Sequence, residues 1–323
     1  MSFDVICLRP EADFLRAGVT PPGTFKIAYR APEEPGLRPL ITAARALVMP
    51  AVGPKLPALL FQDSALKLVQ VTGAGVDRLD APALKRLGIP VANVPGGSND
   101  AVAEYVVTAA SVLLRRLAWS SDEVRAGRYK EFRASMLAAN LGGLHGLRVG
   151  IVGMGTIGLA VAKALRAYEC EVLYYDPDPR DASKLGARPV PLDELLAGSD
   201  VVTIHVPLVP GTQGMIGESQ LAKMKENAIL INAARGGIVD EAALAEALGS
   251  GKLGGAAVDV YATEPPEDSN PLLSLQGEAA NRVLLTPHIA GVTRQAYAVL
   301  FRSAWDNVER VLLQGLGPLN RVY

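Results

Sequence analysis

The chain reads Val149-Gly150-Ile151-Val152-Gly153-Met154-Gly155-Thr156-Ile157-Gly158, and an apolar helical pattern follows from Leu159 to Ala167. This is the pattern of a buried strand that turns sharply into a helix. Gly153 permits the tight turn, Gly155 lets a ligand approach the backbone, and Gly158 allows close packing of helix and strand. The free N–H groups at the start of the helix favour an anion there. The stretch therefore predicts a dinucleotide site formed by residues 153–158, including Met154, Thr156 and Ile157.

An acidic residue stands where such a site needs a ribose contact. Asp176 ends the next predicted strand, 18 residues beyond Gly158 (176 − 158), close to the usual spacing of about 20. Its carboxylate can accept hydrogen bonds from ribose hydroxyls and would repel a 2′-phosphate. The sequence thus predicts NAD(H) rather than NADP(H), although Arg180 lies close enough to leave NADP(H) open.

Length and composition favour two globular domains and give no indication of binding to nucleic acid or to a membrane surface. The chain has 323 residues, of which 49% are apolar and 20% charged, and its net charge is −1 without a long basic run. Nucleic acid and membrane surfaces are therefore not expected as partners. The N-terminal apolar run is too short for a signal peptide, and the longest apolar stretch, Val149 to Ala162, is too short to span a bilayer. Cys7 and Cys170 form neither a disulfide framework nor a metal-ligand pattern, so we expect no metal and a cytoplasmic location.

Strand and helix patterns alternate along the chain, which is typical of parallel, doubly wound sheets. Up to Val94 the strands are predicted at Phe3–Leu8, Phe25–Tyr29, Ala46–Met49, Leu68–Val71 and Val91–Val94, with helices at Glu11–Ala17, Leu37–Arg45, Leu56–Gln62 and Pro82–Leu87. Six more strands are predicted at Arg148–Val152, Glu171–Tyr175, Val201–His205, Ala228–Asn232, Gly255–Val260 and Arg282–Leu285.

Two further segments define the predicted domain boundaries. A turn-rich cluster at 95–99 ends the first domain, and a helix over Thr293–Leu313 is expected to return to it. Residues 1–97 and 290–323 are thus predicted to form one domain and residues 98–289 the other, with the ligand site in the cleft between them. A long apolar helix from Asn99 through Leu117 needs more partners than one sheet face supplies, so we expect a homodimer.

Polar residues suited to proton transfer and carboxylate binding stand where predicted strands end. Arg235 lies among small residues and can hold a carboxylate with two hydrogen bonds. His288 is suited to donate a proton near neutral pH, and Glu264 beside it would favour the imidazolium form. Because ligands bind beyond the carboxyl ends of parallel strands, these three residues are the predicted catalytic set. His205 also ends a strand, but a cofactor-pocket or core role suits it equally well.

These motifs resemble those of the D-isomer-specific 2-hydroxyacid dehydrogenase family over nearly the whole chain. The motifs are Val71–Asp77, Gly153–Gly158, Asn232–Asp240, Val258-Asp259-Val260 with Glu264-Pro265, and Thr286–Gly291. The resemblance implies an α/β fold of two doubly wound parallel-sheet domains, a flavodoxin-like substrate domain and a Rossmann NAD-binding domain. It implies an NAD(P)-dependent oxidoreductase in which Arg235 binds the substrate carboxylate, His288 transfers the proton and Glu264 orients His288.

The resemblance also implies further contacts. Backbone N–H groups of Gly73, Ala74, Gly75 and Val76 would form a second carboxylate cradle. Beyond the glycine-rich loop and Asp176, the implied cofactor residues are His205, Val206, Pro207, Thr212, Ala233, Ala234, Arg235, Asp259, His288 and Gly291. Asp259 in particular would hold the nicotinamide carboxamide.

The substrate is predicted only as a class, that of small D-2-hydroxy acids and 2-oxo acids of the hydroxypyruvate, glyoxylate or 2-ketogluconate type. Met49 and Val76 are candidates to line its variable side, and both residue types are more often found in cores. Oxidation of phosphite is an alternative, whereas Glu264 argues against formate, since formate-oxidising members pair the histidine with glutamine. An NAD-sensing corepressor is an alternative from another class; the short chain, without a long tail after Tyr323, argues against it.

Overall fold

The computed structural model describes residues 3–178 and 180–323. The chain divides into two compact units, the first formed by Met1–Ser98 with Val292–Tyr323 and the second by Asn99–Gly291. Within the described ranges, no helix combines the length and the apolarity that crossing a lipid bilayer requires.

Twelve strands are found in the described residues. They are β1 (Val5–Cys7), β2 (Ile27–Tyr29), β3 (Ala46–Met49), β4 (Leu68–Val71), β5 (Val91–Ala92), β6 (Arg148–Val152), β7 (Glu171–Tyr175), β8 (Ala187–Pro189), β9 (Val201–Ile204), β10 (Ala228–Asn232), β11 (Leu253–Val258) and β12 (Val283–Leu285).

The same residues contain twelve α-helices. They are α1 (Glu11–Arg16), α2 (Leu37–Ala43), α3 (Ala81–Arg86), α4 (Asn99–Leu114), α5 (Leu117–Arg125), α6 (Tyr129–Ala139), α7 (Thr156–Leu165), α8 (Leu192–Gly198), α9 (Glu218–Lys223), α10 (Glu241–Gly249), α11 (Gly277–Asn281) and α12 (Arg294–Leu312).

The first unit is built on a parallel five-stranded sheet with the order β2-β1-β3-β4-β5. One face packs against α1 and α12 through Phe14, Phe301 and Trp305, and the other against α2 and α3 through Ile41 and Leu84. Because both faces are covered, the strands are mainly apolar rather than alternating; the exception is Gln70 of β4, which is buried and accepts a hydrogen bond from Asn307 of α12 at 2.6 Å. This strand order is that of a flavodoxin-like domain.

The second unit contains a parallel sheet of seven strands in the order β12-β11-β10-β9-β6-β7-β8. The sheet is doubly wound, because the chain starts at β6 and builds outward in both directions. On one face, α4 packs against α7 with its buried residues Val102, Val106 and Ala110. The predicted α/β class with two doubly wound parallel sheets is confirmed.

Three local predictions were wrong. Seven strands replace the predicted six, because β8 is a short edge strand that ends at a proline and lacks an apolar pattern. The helix expected over Leu56–Gln62 is a single 3₁₀ turn, Ala58–Phe61, that starts after Pro57. The long helix from Asn99 ends at Leu114, since Arg116 adopts a left-handed backbone (φ 51°) before α5 begins.

Candidate active site

The predicted site residues of the second unit follow neighbouring strands at one edge of the sheet. Arg235 follows β10, Glu264 follows β11 and His288 follows β12, and these three strands are adjacent in the sheet. The glycine-rich loop follows β6, with Asp176 after β7 on one side and His205 after β9 on the other. Parallel strands present their carboxyl ends at the same edge, so residues more than 100 positions apart share one surface.

The glycine-rich loop fits the phosphates of a dinucleotide. A Cβ on Gly153 would lie 2.7 Å from the His205 carbonyl oxygen, and one on Gly158 would lie 2.2 Å from that of Gly153, so both positions are closed to larger residues. Gly155 differs, because a Cβ there would meet nothing within 4 Å. Among the described residues, the N–H groups of Gly155, Thr156 and Ile157 make no hydrogen bond. This leaves open space and free donors at the start of α7, as an anionic ligand requires.

Asp176 lies beside this loop in a fixed orientation. Its carboxylate accepts hydrogen bonds from the N–H of Met154 at 2.8 Å and from the N–H of Asp178 at 3.0 Å. The two bonds engage different oxygens, so each oxygen keeps capacity for a further donor. The Met154 side chain is fully buried and can contribute to a ligand site only through its backbone.

The segment after β9 is stabilised by hydrogen bonds among its own residues. The Nε2 atom of His205 lies 2.9 Å from the Thr203 hydroxyl, and burial lowers the pKa of His205 to about 3. His205 is therefore neutral near pH 7 and is not suited to proton transfer at that pH. Further along, the Thr212 hydroxyl donates to the Pro207 carbonyl at 2.6 Å and accepts from the Val209 N–H at 2.9 Å. Val206 lies against the glycine-rich loop, 2.8 Å from the Cβ position of Gly153.

Arg235 lies on a loop that Asn232 holds at both ends. The buried Asn232 side chain accepts from the Ala234 N–H at 3.2 Å and donates to the Arg235 carbonyl at 3.1 Å. The Arg235 guanidinium itself donates to the Ala234 carbonyl at 2.7 Å. The next residue, Gly236, packs so closely that a Cβ would lie 1.8 Å from the Tyr261 carbonyl oxygen. The Arg235 loop is thus in contact with the start of the Glu264 loop. Ala233, another predicted cofactor residue, is half-buried in the Arg235 loop.

Glu264 and His288 form the hydrogen-bonded pair that the sequence predicts. The Nδ1 atom of His288 lies 2.8 Å from Glu264 Oε2, and the side chains are 26% and 29% exposed. The other carboxylate oxygen, Oε1, accepts from the Tyr261 N–H at 3.1 Å. With Nδ1 directed at a carboxylate, Nε2 is the nitrogen left to face a substrate.

Asp259 holds the loop that carries His288. Its carboxylate is fully buried and accepts from the Thr286 hydroxyl at 2.6 Å and from the N–H groups of Ile289 and Ala290, both at 2.8 Å. Tyr105 of α4 extends this network, with its hydroxyl 2.7 Å from that of Thr286. In the described structure, all three hydrogen bonds of the Asp259 side chain thus come from residues 286–290. Gly291, the next residue, ends the second unit. The predicted contact to a nicotinamide carboxamide stays a prediction.

The predicted substrate residues of the first unit fall into two groups. In the loop after β4, the carbonyl oxygens of Gly73 and Ala74 accept hydrogen bonds from Val94 and Asn93. The N–H groups of Ala74, Gly75 and Val76 make none within the described ranges, which leaves them available to a carboxylate. Met49, by contrast, is fully buried in the core of this unit, so Pro50 and Ala51 beyond it are the accessible positions.

Four residues of this site were not predicted from the sequence. Asn232, Gly236, Tyr105 and Thr286 position the loops through contacts with other segments. An asparagine at the end of an apolar strand favours a local side-chain turn, which is a usable signal for Asn232. Tyr105 offers none, because its position in α4 fits an ordinary helix.

The doubly wound sheet, the glycine-rich loop after β6 and Asp176 after β7 together are the features of an NAD-binding domain. A model of the D-isomer-specific 2-hydroxyacid dehydrogenase NAD-binding domain matches residues 107–290, which is more than half of the chain. The chain belongs to the D-isomer-specific 2-hydroxyacid dehydrogenase family. This confirms the predicted family and its NAD-binding domain.

Individual relatives agree with this membership. Glycerate dehydrogenase of Methylorubrum extorquens is 40% identical over 245 residues, 76% of this chain and 75% of that protein. D-3-phosphoglycerate dehydrogenase of Archaeoglobus fulgidus is 42% identical over 233 residues, 72% of this chain but 42% of that protein. The chain thus matches less than half of that second relative. Among solved structures, the NAD complex of the NAD-dependent formate dehydrogenase of Staphylococcus aureus superposes with a TM-score of 0.83 at 26% identity, covering 99% of this chain and 98% of that one.

Proposed function

We propose that this protein transfers a hydride between NAD(H) and C2 of a small D-2-hydroxy acid or 2-oxo acid. In the direction of reduction, a 2-oxo acid, NADH and a proton give the 2-hydroxy acid and NAD⁺. The observation that carries this proposal is the 2.8 Å contact between His288, after β12, and Glu264, after β11, with Arg235 after the adjacent strand β10. A carboxylate-binding cation beside a proton donor is the set that reduction of an oxo acid requires.

Each residue of the set has a separate task. Arg235 binds the substrate carboxylate with its planar guanidinium and so fixes the orientation of C2. His288 donates its Nε2 proton to the carbonyl oxygen during reduction and accepts it back during oxidation. Glu264 accepts a hydrogen bond from Nδ1–H of His288 at 2.8 Å, and this bond directs Nε2 towards the substrate. Bound NADH supplies the hydride.

We propose NAD(H) rather than NADP(H) as the cofactor. Two backbone N–H groups hold Asp176 beside the glycine-rich loop, so a 2′-phosphate would meet a fixed negative charge. Replacing Asp176 with serine is expected to improve kcat/KM for NADPH relative to NADH by about tenfold or more, since removing such a repulsion changes binding by about 1.4 kcal/mol. Asp178→Ser, at an exposed aspartate, is the matched control. An unchanged ratio of kcat/KM for NADPH to that for NADH in Asp176→Ser would contradict the assignment of NAD(H).

The best substrate candidates are hydroxypyruvate and glyoxylate, followed by sugar-derived acids such as 2-ketogluconate. Support comes from the glycerate dehydrogenase relative, which acts on a small hydroxy acid, and from the free N–H groups of Ala74, Gly75 and Val76 as a second carboxylate cradle. A small substrate is also consistent with the short side chains at Ala51 and Ala74.

A panel of acids tests the proposal directly. Loss of NADH absorbance is measured after addition of glyoxylate, hydroxypyruvate or 2-ketogluconate, with NAD⁺ plus phosphite or formate as further arms. Turnover of a 2-oxo acid supports the proposal. Turnover of phosphite alone, or NADH binding without turnover of any acid, would replace it with phosphite oxidation or with NAD sensing, respectively.

The role of Arg235 has its own test. Arg235→Lys keeps the charge but loses the paired hydrogen bonds, and we expect kcat/KM for the accepted oxo acid to fall by about 10–100-fold, which corresponds to about 1.5–3 kcal/mol. Arg188→Lys, on the exposed edge strand β8, is the matched control. An unchanged kcat/KM for Arg235→Lys would contradict the carboxylate anchor.

We also propose that the protein forms a homodimer through α5 and α6. The prediction from the sequence placed the interface on the helix now seen as α4, but the apolar side chains of α4 pack within their own unit. In contrast, α5 has no buried residue and α6 has Phe132 alone, while Leu117, Val124, Tyr129 and Leu137 are 46–64% exposed. An exposed apolar surface of this kind is typical of a protein–protein contact.

Sedimentation tests the dimer. The wild-type protein is expected to sediment at twice the mass of one chain at micromolar concentration, and Leu137→Glu is expected to shift it to a single chain. Leu273→Glu, at an exposed leucine elsewhere in the same unit, is the control. A wild-type protein that sediments as a single chain would refute the proposal. The cytoplasmic location stays a prediction.

A further inference from the structure

The first unit contains a basic cavity that the proposed reaction does not use. Its volume is about 370 Å³, and its walls come from the end of β1, from α1 and from the start of α12. The lining residues are Arg9, Asp13, Arg16, Ala17, Arg294 and Tyr297. We call this group the arginine cavity.

Arg9 is held rigidly in the wall of the arginine cavity. Its guanidinium carbon lies 4.9 Å from the ring centre of Phe301 and 5.4 Å from that of Tyr297, and these two rings are stacked on each other. The Nη1 atom pairs with Asp13 at 2.9 Å, and the side chain is 16% exposed. A guanidinium fixed in this way loses little conformational entropy when it binds a ligand.

The charge of the arginine cavity is unbalanced. Three arginines face a single acid, Asp13, which pairs with both Arg9 and Arg16. Arg294 is exposed at the first position of α12, a helix of 19 residues whose first turn contains no acidic residue. A cation at this end of a helix is unfavourable, because the helix dipole is positive there. An anion in the cavity would offset the repulsion between these groups.

Arg78 is a further guanidinium close enough to the arginine cavity to be affected by the charge of Arg9. Its side chain donates to the carbonyl oxygens of Pro50 and Pro54 at 2.9 and 2.8 Å. Burial lowers the pKa of Arg78, the charge of Glu33 raises it, and the charge of Arg9 adds a smaller lowering effect.

We propose that the arginine cavity binds a small metabolite that carries a phosphate or a pair of carboxylates. Arg9 and Arg294 donate to the anion, and Arg16 supplies a third, mobile donor. The volume accommodates a group of this size together with a short carbon chain. The site lies entirely in the first unit and does not rest on the proposed dehydrogenase reaction.

Calorimetric titration of the NAD⁺-saturated protein tests the site. Inorganic phosphate and succinate are the two probes, and sodium chloride at the same ionic strength is the reference. Saturation with NAD⁺ removes the glycine-rich loop as a competing phosphate site. A saturable heat for either probe is expected, and the stronger of the two identifies the anion type. Heats equal to those of chloride for both probes would overturn the proposal.

Variants locate the binding. Arg294→Gln and Arg16→Gln are exposed changes, and we expect each to weaken affinity for the better probe by about tenfold, the loss of one charge-assisted hydrogen bond. Arg302→Gln removes an exposed arginine of the same helix outside the arginine cavity and is expected to leave affinity unchanged. Equal losses in Arg294→Gln and Arg302→Gln, or in neither, would show that the anion binds elsewhere and refute the assignment.

Discussion

Replacing Asp259 with asparagine is expected to destabilise the second unit and to slow turnover. In the wild type, Oδ1 accepts from the Thr286 hydroxyl and the Ile289 N–H, and Oδ2 accepts from the Ala290 N–H. An asparagine that keeps the two bonds on its oxygen directs its amide NH₂ group at the Ala290 N–H, so that bond is lost and two donors face each other. The net loss of one charge-assisted hydrogen bond is about 1.5–3 kcal/mol, and a buried N–H without an acceptor adds about 1 kcal/mol or more.

The measurement is the thermal midpoint of unfolding together with kcat. A loss of about 3 kcal/mol lowers the midpoint by about 6–12 °C for a unit of this size. We expect kcat to fall at least tenfold, because Ile289 and Ala290 adjoin His288 and a proton donor displaced by about 1 Å loses much of its effect. Asp178→Asn, at an exposed aspartate, is the control. A midpoint unchanged in Asp259→Asn would refute the reasoning, since it would show that the cost of burying the carboxylate cancels its hydrogen bonds.

Three further predictions concern neighbouring groups. Glu264→Gln keeps the shape of the side chain but removes the charge that orients His288 through Nδ1, so kcat for reduction is expected to fall by about 10–100-fold; an unchanged kcat would contradict the role of the charge. Gly236→Ala places a Cβ 1.8 Å from the Tyr261 carbonyl oxygen and is expected to destabilise the protein by about 2 kcal/mol or more, whereas Gly249→Ala, where a Cβ has open space, is the control for thermal unfolding. Burial lowers the pKa of His205 from 6.5 to about 3, so between these values the unfolded chain binds a proton that the folded chain does not. Stability is then expected to fall as the pH drops below about 6.5, by at most about 1.4 kcal/mol per unit from this residue, and His205→Asn is expected to lose that part of the slope in urea denaturation; an unchanged slope would argue against a buried neutral ring.

The sequence predicts the strands of this fold well because most are buried on both faces. Mainly apolar runs leave few alternatives: the strand predicted at Val201–His205 is observed at Val201–Ile204, and the one predicted at Ala228–Asn232 has these bounds. The wrong predictions lie in segments whose burial produces no regular pattern of apolar residues in the sequence. The edge strand β8 is mostly exposed, and the break between α4 and α5 depends on a single left-handed residue, Arg116, in an otherwise helical stretch.

The candidate site could be predicted where function requires a reactive side chain at a strand end. Glu264 and His288 are 24 residues apart in the chain, yet their strands are adjacent, and the pair forms as the pattern indicates. The supporting contacts could not be predicted in the same way. Tyr105 reaches Thr286 across 181 residues, and Gly236 is required only because another loop packs on it. Such contacts follow from tertiary packing, which leaves no periodic signal in either segment.

The backbone conformation of His288 couples the hydrogen bonds that hold its loop to the direction of the His288 imidazole. His288 adopts a left-handed conformation, φ 55°, which costs about 1 kcal/mol or more for a residue with a Cβ. Its N–H donates to the carbonyl oxygens of Asp259 and Thr286, at 2.8 and 3.1 Å, while the Asp259 side chain holds the two residues that follow. These bonds fix the strained turn from both sides, and the turn brings the imidazole to Glu264. Because the conformation depends on Asp259 rather than on local preference, a change at Asp259 alters the direction of Nε2 even though the two side chains share no hydrogen bond.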